Sequence, residues 1–258
     1  MTERVSMYRI FVLALCAITL PTISPARDIW TVPQVKDGVT RMWIRFGDDT
    51  AHLVTADSDR IVSLEAISLI GRVNLRQPLT LASSGTAGLE TKSFTPAPGS
   101  IVAVTYDNGF WTEDPEILDG DPFVNTSKLL IPAGKKSYWV ERFGKTLLGP
   151  ESYKVRTHTA LELVPLSDPF SGESRLTVRV EYKGKPVAGA KVGYGDGVTP
   201  VELDRRPFVT SDKNGLVNID LTRKGAYVLI AGYKAPYSHR EFADQSEFSA
   251  TLAFDTKK

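Results

Sequence analysis

The chain has 258 residues, 42% apolar and 24% charged, enough to bury a substantial core in one large or two modest domains. Lys and Arg number 31 against 30 Asp and Glu, a balance that excludes the concentrated basic surface a nucleic-acid binder needs. The single cysteine, Cys16, falls in the leader region, so the rest of the chain has neither a disulfide nor a thiolate metal site.

Residues 1–26 read as an export signal. Arg4 and Arg9 accompany an apolar run, Ile10 to Leu20, and small residues stand at Ser24 and Ala26 before the expected cut. The run is shorter than the ~20 residues of a membrane span. The expected address is therefore the periplasm or the exterior. Removing Arg4, Arg9 and Glu3 with the leader leaves basic and acidic residues in equal number. Asp28 to Phe46 then reads as two strands around the turn Asp37-Gly38. Met42, Ile44 and Phe46 share one face of the second strand, and Arg41, Trp43 and Arg45 share the other. The stretch SLEAISLI, from Ser63, admits a short helix or a strand. Ser100 to Tyr106 is rich in β-branched and aromatic residues and reads as a strand. Asn108 to Pro132 has no steady period and reads as a long surface excursion.

Gly134 to Pro150 carries Trp139, Val140, Phe143, Leu147 and Leu148 at three- and four-residue spacing. That spacing predicts an amphipathic helix of about three turns, closed by Gly149-Pro150. The domain boundary falls there, dividing 27–149 from 150–258. The second part contains about seven short strands, among them RLTVRVEY, where Leu176, Val178 and Val180 alternate with polar residues. Gly184 and Gly215 are expected to take positive φ in the intervening turns. The expected architecture is all-β: two β-sandwich domains of immunoglobulin or prealbumin type, with one short amphipathic helix at their junction.

Three histidines are present, and two stand near carboxylates. His52 neighbours Asp48 and Asp49, and His239 neighbours Glu241. Imidazole with carboxylate is a donor set that suits nickel or cobalt. No two of the histidines stand at i, i+4, so these residues are either ligands assembled in space or scattered surface groups. The acidic loop from Glu113 to Asp121 lacks the ligand order of a calcium loop, and Asp212 with Asn214 reads as a turn. Phe110 and Trp111 are candidates for contacting a ligand or partner, with Trp111 divided evenly between contact and core. Trp139 and Phe143 read as a plug between the two sandwiches. No G-x-S-x-G elbow, H-E-x-x-H helix or phosphate-cradling glycine loop occurs, so a non-enzymatic role is expected.

GKPVAGAKV with TSDKNGLVNIDLTRKGAYVLIAGY resembles the prealbumin-like and carboxypeptidase-regulatory-like β-sandwich modules. RDIWTVP, YDNGFWTEDPE, SYWVERFGKTLLGP and LELVPLSDP, followed by that sandwich, are together similar to the NikM-like periplasmic family. The resemblance implies an accessory or binding protein in nickel or cobalt uptake, delivering to a membrane metal transporter or outer-membrane receptor. Members commonly carry a His just before the D-F-W run, where this chain has Arg27, a residue that stays protonated and does not ligate metal. The alternative is a structural or interaction module that binds another cell-envelope protein without metal.

Overall fold

The computed structural model describes residues 27–47, 53–82, 87–197 and 207–257. The expected signal, residues 1–26, and the candidates Asp48, Asp49 and His52 lie outside the described residues. Among the described residues there is no α-helix, and none long and apolar enough to cross a membrane.

In chain order the strands begin with β1 (Asp28–Lys36), β2 (Val39–Gly47), β3 (Leu53–Val54), β4 (Ile61–Ser68), β5 (Gly71–Asn74) and β6 (Leu79–Leu81). Next come β7 (Leu89–Thr91), β8 (Ile101–Glu113), β9 (Phe123–Val124), β10 (Ser137–Leu147), β11 (Leu161–Pro165) and β12 (Arg175–Tyr182). The chain closes with β13 (Lys185–Pro186), β14 (Lys191–Gly195), β15 (Phe208–Thr210), β16 (Leu216–Asp220), β17 (Ala226–Pro236) and β18 (Gln245–Asp255). The all-β expectation holds.

The strands form three sheets. The central sheet runs β15-β14-β17-β18-β10-β8-β4-β5. The second runs β1-β2-β7-β6, and the third runs β11-β12-β13 with β16 also on β12. The two smaller sheets cover opposite faces of the central one. Val102 and Val104 of β8 join Met42, Ile44 and Phe46 in one core, while Ile101 and Ala103 join Leu161, Leu176 and Val178 in the other. That division follows from the two-residue period of a strand. Strands from both sides of Gly149 share the central sheet, because β10 pairs with β18 in parallel, Tyr138 opposite Gln245 through Thr146 opposite Ala253.

The expected helix at 134–150 is not there; Ser137–Leu147 is strand β10. It lies between β8 and β18, with both faces covered. Phe143 and Leu147 enter the core under the third sheet, while Thr146 bonds Thr31 of β1 on the other side. A strand buried on both faces loses the apolar-polar alternation and reads as a near-continuous apolar run. The local composition of Trp, Val, Phe and Thr suits a pleated strand at least as well as a helix. The expected excursion after Asn108 also starts too early, since β8 continues to Glu113 and only then turns away.

The hairpin expectations hold. Asp37 and Gly38 both take positive φ between β1 and β2, as do Lys183 and Gly184 between β12 and β13, the signature of two-residue turns that match strand twist. Gly215 has φ +74°, and a Cβ there would stand 2.8 Å from the Val180 carbonyl and 3.0 Å from the Val187 nitrogen. Gly215→Ala is therefore expected to lower stability by more than ~1 kcal/mol, read as a lower urea midpoint.

Candidate functional site: an aromatic and acidic end of the central sheet

The third sheet stops at Tyr182, whose ring packs on Tyr233 and Phe248 at 4.4 Å and 5.4 Å. Beyond it the central sheet carries an unbroken chain of rings. Trp139 contacts Phe248 and Tyr237, Tyr237 contacts Phe110 at 5.8 Å, and Phe110 contacts Phe242 at 6.0 Å. His239 completes the group, 6.2 Å from Tyr237 and 6.4 Å from Phe242. Phe110 and His239, picked separately from the sequence, thus meet at one place.

A β-bulge makes this possible. Val140 faces Gly109, but Glu141 faces Asp107, so Asn108 is an extra residue in β8. The extra residue switches the strand's parity. Asp107 lies opposite Glu141 and Phe110 lies opposite Trp139, all on the same face. Gly109 takes φ +77° at the switch. The bulge is pinned by its own carbonyl: Asn108 O accepts from Arg60 Nη1 at 2.7 Å, Trp111 Nε1 at 2.9 Å and Asn125 Nδ2 at 3.3 Å. Trp111 is half-buried, and its indole N–H is used in holding the bulge. Asn125, part of an N-T-S triplet, spends its amide on this backbone as well, donating to Phe110 O at 2.8 Å.

Asp107 and Glu141 are the chemical centre of this end. Burial pushes the Glu141 carboxyl up to about 7, and the charge of Asp107 across the strand pair adds to it. No cation among the described residues offsets the effect on Glu141. The Tyr237 phenol is raised too, first by burial and then by Asp107, Glu141 and Glu241. Three carboxylates therefore act on one tyrosine within a ring of aromatic side chains. A carboxyl whose folded pKa lies above its ordinary value destabilises the fold as it ionises. Stability is expected to fall from about pH 4.5 to about pH 7, and Glu141→Gln is expected to flatten that loss in a series of thermal melts.

Among the proposed metal ligands, His239 Nδ1 lies 3.5 Å from Glu241 Oε1, with both side chains exposed to solvent. Among the described residues, no group of three or more His, Cys, Asp or Glu stands close enough to hold an ion. The segment carrying His239 is anchored by Asp244, which accepts from Lys128 Nζ at 2.5 Å and Ser137 Oγ at 2.7 Å. Burial raises the Asp244 carboxyl, but these two bonds outweigh it and hold the group below its ordinary range.

Asp107, Glu141 and Tyr237 are not singled out by their chemistry in the sequence, and Trp139 reads there as a plug between two sandwiches. The one signal available was Glu141 itself, a carboxylate amid the apolar run YWVERF.

Comparison with known proteins gives the chain relatives but no activity. A Haemophilus influenzae protein described as uncharacterized is 23% identical over 244 residues, spanning 94% of this chain and 96% of its own. Among solved structures, the D0–D1 domain of intimin matches 89% of this chain and 98% of its own at 12% identity. Its TM-score is 0.22, too low to carry an argument about fold. A family profile described as a domain of unknown function, DUF4198, matches residues 25–235. With most of its length covered by that match, the chain belongs to the DUF4198 family.

Proposed function

We propose that this chain is an exported, non-enzymatic binding protein that captures a cationic cargo at the aromatic and acidic end of the central sheet. The observation that carries the reading is the pair Asp107 and Glu141, opposite each other and half-buried, with no offsetting cation among the described residues. Such a pair binds a positive charge by giving up a proton, and the rings around it add cation–π attraction. The resemblance to the NikM-like family points to nickel or cobalt as cargo, with a membrane metal transporter or outer-membrane receptor as the recipient. The His239–Glu241 pair offers a nitrogen and an oxygen donor but no cage. The metal would thus be held through few protein ligands, with water or a chelator completing its sphere, which suits pick-up and release better than storage.

Calorimetric titration with nickel and cobalt at pH 7.5 tests this. Saturable heat is expected, weakened about tenfold (~1.4 kcal/mol) by Glu141→Gln and again by Asp107→Asn. Binding should also weaken as pH falls below about 7, where Glu141 takes up its proton. Absence of heat with either metal would remove the metal reading.

A second reading, an interaction module for another envelope protein, is favoured by the far edge of the same sheet. Leu69 and Ile70, 74% and 89% exposed, form the tip of the β4–β5 hairpin, and β5 is an open edge strand. An exposed apolar edge is suited to strand addition by a partner. Ile70→Lys should abolish such pairing without altering metal heats.

A further inference from the structure

The central sheet ends at β5, and the outer edge of that strand can be worked out group by group. Leu75 N donates to Leu64 O at 2.8 Å, and Val73 and Gly71 stand opposite Ala66 and Ser68 of β4. Alternate residues of an antiparallel strand turn their N–H and C=O to opposite sides. Gly71, Val73 and Leu75 therefore bond to β4. Arg72 and Asn74 turn theirs outward, where no further strand of the described residues follows. Other edges are blunted by proline: β15, at the opposite end of the same sheet, abuts Pro207, and β6 abuts Pro78. Neither β5 nor its flanking residues Ile70 and Leu75 include one.

The outward groups are self-complementary. A two-fold axis at Val73 sets Arg72 opposite Asn74 of a second copy and Asn74 opposite its Arg72, and each pair exchanges both of its N–H···O bonds. Val73, 53% exposed, meets its own counterpart on the axis at a non-hydrogen-bonded position, where side chains approach most closely. Charges match in the same register. Glu65 of β4 stands opposite Asn74 and holds Arg72 Nη1 at 3.2 Å. Arg72 of the second copy joins that row on the far side of Asn74, so acid and base alternate across the axis. At the tip, the exposed Ile70 falls opposite Arg76 of the second copy, whose aliphatic stem covers part of it.

We infer that the chain forms a two-fold dimer by antiparallel pairing of β5 with β5 of a second copy, making one sheet continuous across both. Beside β5, β4 pairs with the start of β8, Ile67 opposite Ile101, whereas Asp107 and Phe110 lie towards the other end of β8. The acidic ends therefore lie away from the axis, one on each copy. The inference gives the open edge of the second reading a definite occupant and does not depend on the cation reading.

Sedimentation velocity between about 1 and 100 µM should show a monomer–dimer equilibrium, as befits a short interface. Val73→Lys puts like charges on the axis and should weaken the dimer at least about tenfold while leaving the nickel heats unchanged. Its side chain is more than half exposed, so the variant is expected to fold, which a thermal melt checks. Val73→Cys in a Cys16→Ser background should form a disulfide-linked dimer on mild oxidation, because the facing Cβ atoms would stand ~4.5–5.5 Å apart. Arg72→Cys in the same background should not link. A protein that stays monomeric up to ~100 µM overturns the inference and leaves the edge to a foreign strand. So does a dimer that Val73→Lys leaves intact, or one that links as readily through Arg72→Cys. A dimer without nickel heats would count against the cation reading alone.

Discussion

Glu162→Gln is expected to cost about 3 kcal/mol of stability at neutral pH and to blunt the chain's sensitivity to acid. Glu162 lies between the central and third sheets and is almost fully buried. Its carboxylate accepts from Lys145 Nζ at 2.7 Å, Arg156 Nε at 3.2 Å, and the backbone N–H groups of Thr157 at 2.9 Å and His158 at 3.2 Å. Burial raises its pKa, but Lys145, Thr157 and Arg156 together outweigh burial and hold it at about 2. The folded value lies below the unfolded one. The stabilisation is therefore present above about pH 4.5 and disappears as pH falls towards 2. Acid denaturation followed by circular dichroism should show it as a shallower acid limb in Glu162→Gln. Burial pulls Lys145 the other way, lowering its pKa while Glu162 opposes the shift. Breaking such a buried pair costs more than removing it. Lys145→Met alone should be destabilising by about 3–5 kcal/mol, while Lys145→Met with Glu162→Leu should recover much of that loss. A double mutant no better than the single would contradict this account.

Arg142→Met is expected to cost a similar ~3–5 kcal/mol and to loosen the start of β1. Arg142 is fully buried on the opposite side of β10 from Glu141. Its guanidinium donates to Glu247 Oε1 at 2.8 Å, to Arg27 O at 3.1 Å, to Glu141 O at 3.3 Å and to Glu247 O at 3.4 Å. Removing it leaves those carbonyls without this donor and leaves Glu247 with Lys234, whose Nζ lies 3.0 Å from Oε2. Lysine cannot reproduce the fork, so Arg142→Lys should rescue only in part. Hydrogen exchange should show the loss of protection first at residues 28–30. Unchanged exchange there would mean that β1 is held without Arg142.

The readable parts of the fold were those with one wet face. In β2 and β12 polar residues alternate with core residues, and Asp37-Gly38 and Lys183-Gly184 mark turns with φ values few residue types adopt. β10 was unreadable for the opposite reason. Glu141, Arg142 and Lys145 break its apolar pattern, yet each is at least half-buried and each has a specific neighbour on a remote strand. On sequence alone such charges look like the wet side of a helix. The candidate site was half visible. Aromatic residues and a histidine near a carboxylate announce themselves by type, which identified Phe110, His239 and Glu241. Asp107 and Glu141 become partners only through a strand register set by an extra residue, and no local pattern encodes a register.

The parallel neighbours β10 and β18 have a consequence for the order in which the molecule can form. Two parallel strands cannot be closed by a tight turn, and here all four strands of the third sheet are made in the interval between them. β1 rests on both: Thr251 Oγ1 donates to Ile29 O, and Thr31 bonds Thr146. The first strand therefore has no finished surface to lie on until the last one has arrived. Such distant pairings make folding slow and all-or-none. The shared sheet thus ties the two ends of the chain to one folding event, and neither half completes its core alone.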